Sequence, residues 1–237
     1  MTSCRHEIER MMMKGLVQYR DPGESCGWQD KYRPTTLEEV LLPQSLKSKL
    51  LTLRENDNSP HLLFYGKPGT GKTTTALALN RDRHIFNTSV MDATVFASEE
   101  FRAFLATQSL PIFRDSDRRK VIILDEADCL TDRAQNSLRS ILEEYADHCW
   151  FVLIGNDITR ITAPIQSRTI PILLGKEEEK MRAWMEKEMM GRCKQILREE
   201  ECEYPDSQLR ALVGKHYPDM RTILKMLQFY ATPATVS

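Results

Sequence analysis

The chain has 237 residues, in which 33 Lys and Arg face 34 Asp and Glu, giving a formal net charge of −1. With 41% hydrophobic and 28% charged residues, it can bury the core of one large domain, or of one domain and a small companion. Basic and acidic groups balance segment by segment (9 against 9 over 1–60, 13 against 14 over 61–175, 11 against 11 over 176–237), which excludes a polycationic tail. Any nucleic-acid contact must come from a local surface on a folded assembly. The longest uncharged apolar run, 149–154, is far below the ~20 residues of a membrane span. No signal-peptide apolar region opens the chain, which reads as soluble and cytoplasmic, with no membrane partner. The six cysteines form no C-x-x-C pair, so reduced, mostly buried thiols are expected rather than a zinc module or a disulfide framework.

Residues 1–27 read as a poorly ordered extension, with turn chemistry at Arg20-Asp21-Pro22-Gly23. From residue 28 the pattern tightens. Strands are expected at 61–65, 84–87, 121–124, 149–154 and 169–174, with helices at 73–80, 98–109 and 133–145. The runs at 121–124 and 149–154 are continuously apolar, as strands covered on both faces require. Strands alternating with helices imply parallel βαβ units with right-handed crossovers. After Gly175 only helical spacings follow: Met181, Trp184, Met185 and Met189, then Leu209, Leu212 and Val213, then Met220, Ile223, Leu224 and Leu227. Pro205 and Pro218 stand near helix starts. The expected organisation is an α/β domain over 28–174, a helical domain over 175–231 and a tail over 232–237.

Gly66-Lys67-Pro68-Gly69-Thr70-Gly71-Lys72-Thr73 fits G-x-x-x-x-G-K-[ST] between an apolar strand and a helix. Its glycines let successive backbone N–H groups face phosphate oxygens. Lys72 would reach the β- and γ-phosphates, and the Thr73 hydroxyl would ligate Mg²⁺. Asp125 and Glu126 follow the apolar strand 121–124. A carboxylate there can hold the magnesium, and a second can polarise an attacking water. Asp125 takes the first role and Glu126 the second. Together they make the chain an ATP- or GTP-hydrolysing enzyme.

Further pieces match one family together. Asp30-Lys31-Tyr32-Arg33-Pro34 and Thr36-Leu37-Glu38-Glu39-Val40 resemble the opening of AAA+ clamp-loader ATPase subunits. So do Asp125-Glu126-Ala127-Asp128 with Gln135 and Arg139, and Asn156, Arg160, Pro164 and Ser167-Arg168, spaced like sensor 1 and the Ser-Arg-Cys motif. Pro218-Asp219-Met220-Arg221 looks like the sensor-2 segment. The resemblance implies a AAA+ P-loop NTPase domain with a five-stranded parallel sheet and a small all-helical lid. It implies ATP and Mg²⁺ as cofactors, with Thr73 and Asp125 on the metal. The nucleotide would lie against Gly69, Thr70, Gly71, Lys72, Thr73 and Thr74, with adenine near Gln29, Asp30, Lys31, Tyr32 and Leu41. Asn156 would orient water or γ-phosphate, and Arg221 would reach the phosphates in cis. Arg168 would act on a neighbouring subunit's ATP. Arg102 and Arg139 are the implied, weaker DNA-facing residues, and Gln135, grouped with them, resembles a position that links the DNA-facing helix to the active site.

The implied work is the opening of a sliding clamp and its loading on primer–template DNA. The subunit would act as a homo-oligomer, or as a hetero-oligomer with a second loader subunit. Leu41-Leu42-Pro43 and Tyr217-Pro218-Asp219 look more like the large subunit of tailed-phage loaders than replication factor C small subunits. Thr169 replaces the motif's cysteine. The family continues past the lid into a helical collar, whereas this chain stops at Ser237; truncation, or reliance on another polypeptide, is expected. The alternatives are another AAA+ DNA-associated ATPase, such as a helicase loader or branch-migration motor, and a nucleotide-binding scaffold without turnover.

Overall fold

The computed structural model describes residues 27–56, 58–80, 88–92, 119–175 and 179–233. The expected extension up to residue 26, the strand at 84–87 and the helix at 98–109 with Arg102 lie outside them. A short helix α1 (Trp28–Lys31) and α2 (Gln44–Glu55) precede β1 (His61–Tyr65) and α3 (Lys72–Leu79). Strands β2 (Thr88–Asp92) and β3 (Lys120–Asp125) follow, then α4 (Asp132–Glu144), β4 (Cys149–Gly155), α5 (Ala163–Gln166) and β5 (Thr169–Leu173).

The five strands form one sheet in the order β2-β3-β4-β1-β5, and every pairing is parallel. Alternate side chains enter two cores. Leu62, Phe64, Val121, Ile123, Val152 and Ile154 pack with Leu50, Ala76 and Leu79 on one face. Leu63, Ile122, Leu124, Phe151 and Leu153 meet Leu138, Ile141, Leu142 and Ile165 on the other. Burial on both faces is why β3 and β4 show no apolar–polar alternation in sequence.

His61 ties the second core together. Its Nε2 lies 3.1 Å from the Leu142 carbonyl, and its Nδ1 accepts from the Phe151 amide at 3.2 Å, so the imidazole is the neutral Nε2–H tautomer. Burial pushes its pKa below the ordinary value, against the Leu142 hydrogen bond and with help from Arg119. The unfolded chain therefore binds a proton that the folded chain refuses. Stability should be level above roughly pH 6.5, the ordinary histidine value, and fall as pH drops below it. Urea denaturation of wild type and His61→Gln between pH 8 and 5 checks this: the slope should be shallower in the variant.

The C-terminal unit is built from α6 (Glu179–Glu199), α7 (Asp206–His216) and α8 (Met220–Tyr230), around Met185, Met189, Cys193, Ile196, Leu209, Val213, Ile223 and Leu227. Two findings extend the sequence expectation. Trp28, placed with the α/β domain by sequence, inserts its side chain into this helical core, and its amide donates to Gln228 Oε1 at 3.0 Å. Besides its helices, the unit also holds a two-residue antiparallel ladder of β6 (Cys202–Glu203) with β7 (Thr232–Pro233), so the expected tail begins by pairing. The thiols of Cys149 and Cys193 are buried and pushed up to about 12 by that burial, which makes them inert; Cys129, by contrast, is exposed.

Candidate nucleotide site

The C-terminal ends of β1, β3 and β4 open on one crevice, the place where parallel α/β sheets bind ligands. The loop after β1 enters it through Gly66, Gly69 and Gly71, all at positive φ (140°, 75° and 83°). Two of these are also required by close approach: a Cβ on Gly66 would overlap the Leu174 carbonyl, and one on Gly69 would overlap the Asp219 carboxylate. At Gly71 nothing lies within 4 Å of that position, so this glycine serves the left-handed turn that opens α3 and leaves the loop's concave side clear.

Lys72 projects back under the loop and is 8% exposed. Its three ammonium protons go to the Gly66 carbonyl (2.8 Å), the Lys67 carbonyl (2.9 Å) and Asn156 Oδ1 (2.9 Å). Burial lowers its pKa and Arg221 adds to that, while Asp125, Asp128 and Asp219 oppose it. A buried cation held below its ordinary value gains from an incoming anion, so this corner of the crevice suits phosphate. Thr73 donates to Asp125 Oδ2 at 2.7 Å, which puts the two expected metal ligands side by side. Among the described residues no group of three His, Cys, Asp or Glu could cage a metal. One hydroxyl and one carboxylate fit Mg²⁺, which takes few protein ligands and completes its shell with phosphates and water.

Glu126 is exposed and in the left-handed region (φ 58°), an uncommon conformation for a residue with a side chain. Its amide donates to Asp125 Oδ1 at 2.9 Å, which fixes the turn after β3. Strain of this kind, of order 1–3 kcal/mol, concentrates at functional positions.

Asp128, two residues beyond Glu126, holds the neighbouring strand end in place. It is 3% exposed, and its Oδ2 accepts from the amides of Asn156 (3.0 Å) and Asp157 (3.2 Å). Asp128 thus sets the backbone from which Asn156 reaches Lys72. Asp128→Ala should lower hydrolysis about 10- to 100-fold, the usual range for groups that orient active-site residues. Nucleotide binding should change far less, a split that single-turnover hydrolysis and equilibrium binding can separate.

The helical unit meets the loop directly. Asp219 caps α8, accepting from the Thr222 amide (3.0 Å) and hydroxyl (2.8 Å), and the same carboxylate rests on Gly69. Gly175 (φ 79°) packs where a Cβ would meet Thr70 Cγ2 at 2.6 Å. Arg221, exposed in the first turn of α8, is near enough to bear on Lys72.

Other expected residues make contacts elsewhere in the molecule. Tyr32 is half-buried against the helical core, and its hydroxyl donates to Glu200 Oε1 at 2.6 Å, as does the Lys31 ammonium at 2.6 Å. Leu41 packs against the same core. Gln29 donates to Asp30 at 3.3 Å and keeps a buried Oε1 without a hydrogen-bond partner among the described residues. Arg168 lies at the far end of α4, paired with Glu143, and no contact joins it to this chain's own phosphate loop.

Gln135 is corrected as a DNA-contacting residue, since it is 1% exposed, whereas its bonds agree with a linking position. Its amide nitrogen donates to the carbonyls of Leu130 (3.2 Å) and Arg160 (2.8 Å), and its oxygen accepts from the Thr162 amide (2.7 Å). It shares the inward face of α4 with Leu138 and Leu142, so it links that helix to the loop after Asn156. Arg139 stays on the exposed face, with no ion pair among the described residues.

A glycine loop, a lysine, a Thr–Asp pair and an asparagine converging at the ends of parallel strands define a P-loop nucleotide-binding protein. Residues 62–174 match the ATPase family associated with various cellular activities (AAA), and residues 181–236 match the sliding-clamp-loader large subunit, AAA+ ATPase lid domain. The chain carries a AAA ATPase domain followed by a lid domain of the clamp-loader kind. It is 34% identical to the probable replication factor C subunit 5 of Caenorhabditis elegans, over 96% of this chain and 64% of that protein. Identity is 33% to replication factor C subunit 5 of Homo sapiens (92% and 65%) and 35% to replication factor C small subunit 2 of Pyrobaculum arsenaticum (86% and 63%). The chain spans just under two thirds of each of these relatives. The Thermotoga maritima RuvB Holliday junction branch migration motor shares the fold, with a TM-score of 0.62 at 22% identity over 83% of this chain and 64% of that one.

Proposed function

We propose that the chain is the Mg²⁺-dependent ATPase subunit of a sliding-clamp loader, using ATP binding and hydrolysis to open a clamp and place it on primer–template DNA. The observation that carries the proposal is the seat of a clamp-loader lid on the phosphate loop, Asp219 on Gly69 and Gly175 against Thr70. A ligand entering between loop and lid bears on both, so nucleotide state and lid angle are coupled.

The phosphates lie along Gly69, Thr70, Gly71, Lys72, Thr73 and Thr74, with Lys72 exchanging its loop carbonyls for phosphate oxygens. Thr73 and Asp125 would hold a Mg²⁺, which would supply charge neutralisation at the phosphates. Glu126 takes the proton of the attacking water, and Asn156, held by Asp128, orients it. Arg221 reaches the phosphates from the lid of the same chain. The segment Gln29, Asp30, Lys31 and Tyr32, with Leu41, borders the adenine where the N-terminal stretch meets the lid core. Arg168 serves a nucleotide on a neighbouring chain.

Arg139, and Arg102 outside the described residues, contribute to a backbone-reading surface for DNA. The working form is an oligomer, of this chain alone or with a second loader subunit, acting in the cytoplasm. No helix among the described residues is long and apolar enough to cross a membrane. The division proposed is an α/β domain to residue 174 and a lid from Gly175, with α1 carried by the lid core.

The test compares ATP hydrolysis with primer–template, single-stranded and fully duplex DNA at equal nucleotide concentration. Stimulation specific to the primer–template junction is expected; equal stimulation by all three would overturn the clamp-loading assignment.

A further inference from the structure

Helix α4 is clasped to the segment 160–168 at two places of opposite character. The first is Gln135, buried and bonded to Arg160 and Thr162. The second is Glu143 in the last turn. Arg168 Nε donates to Glu143 Oε1 at 2.6 Å, and Nη2 donates to the same oxygen. Its Nη1 donates to the Pro164 carbonyl (2.7 Å) and to Ser167 Oγ (3.3 Å). The two side chains of this second clasp are 30% and 51% exposed.

Three physical points bear on what the second clasp does. An ion pair this exposed contributes little to stability and exchanges its partners readily. Glu143 also stands where a carboxylate is disfavoured, in the last turn of a helix beside Glu144, with no basic residue in that turn. Finally, Glu143 occupies the Nε/Nη2 edge of the guanidinium, the planar fork that matches two oxygens of a phosphate. With Nη1 also engaged, Arg168 has no free fork to offer while Glu143 holds it.

We propose that Glu143 is a releasable catch that keeps the Nε/Nη2 edge of Arg168 on its own chain, so that the arginine serves a neighbour's nucleotide only after leaving Glu143. Glu143 is a positioning residue: it acts through Arg168 and touches no substrate. The catch rests on the reading of Arg168 as acting in trans. A triphosphate carries more charge than one carboxylate and takes the fork, whereas an interface without a γ-phosphate leaves it on Glu143. The arginine is thereby withheld from incomplete interfaces.

The test mixes two full-length variants. The acceptor, Arg168→Ala, keeps its hydrolytic site but offers no arginine. The donor, Glu126→Gln, keeps Arg168 but does not turn over. Hydrolysis then arises only where a donor's arginine meets an acceptor's ATP. Adding Glu143→Gln to the donor, or Glu143→Ala as a second variant, should lower the donor concentration at half-maximal rate about three- to five-fold, the scale of an exposed ion pair. The plateau and the donor's thermal midpoint should stay within error of the parent. A purely structural Glu143 would lower the plateau and the midpoint without that leftward shift. An unchanged or rightward-shifted titration overturns the catch while sparing the trans reading. No hydrolysis from the parent donor at any ratio overturns the trans reading, and the catch with it.

Discussion

Glu126→Gln should leave ATP bound and all but stop its hydrolysis, with a loss of at least about 100-fold, the range expected on removing a general base. The substitution keeps the size of the side chain and its ability to accept a hydrogen bond. What it removes is a group that can take a proton from water. Glu126 is exposed and lies in the left-handed region after β3, so the change disturbs no core. The Thr73–Asp125 pair and the Lys72 contacts do not involve its side chain, so Mg²⁺ and nucleotide affinity should stay within a few-fold. Equilibrium nucleotide binding and steady-state phosphate release on one preparation check both halves. Normal turnover in this variant would leave a nucleotide-binding scaffold as the better description.

Arg168→Ala should cost about 10³-fold in the hydrolysis rate of the assembled protein, the usual worth of an arginine supplied to a transferring phosphoryl group. Dilute, unassembled chain should show little change, because Arg168 is paired with Glu143 at the far end of α4 and does not reach its own phosphate loop. Lys is a poor substitute: it lacks the planar fork, so Arg168→Lys should recover only a small part of the loss. The rate of each variant as a function of protein concentration is the measurement. A variant reduced equally at all concentrations would place the arginine's effect within one chain.

The phosphate loop was legible because its chemistry is local: glycines that must take positive φ and the lysine that opens the helix fall within eight residues. The sheet was legible for a similar reason, since strands buried on both faces write themselves as apolar runs. The described edge strand, Thr88–Asp92, pairs on one side only and carries no such run, and the sequence reading favoured the apolar 84–87 beside it. Asp128 was missed in role because it acts on backbone amides 28 and 29 residues away, which no spacing encodes. The linking place of Gln135 was legible, and its burial could have been too: it falls on the stripe of Leu138 and Leu142, where an amide is a buried link rather than a DNA contact. Trp28 in the lid core joins segments 200 residues apart, as its bond to Gln228 shows, and only the folded chain reveals it.

The most direct test of the whole reading is ATP hydrolysis by wild-type chain against protein concentration, with and without primer–template DNA. A site completed by a neighbour's Arg168 predicts a rate that rises faster than linearly with concentration and rises further with the DNA. A specific rate independent of concentration, and unmoved by primer–template, would contradict it.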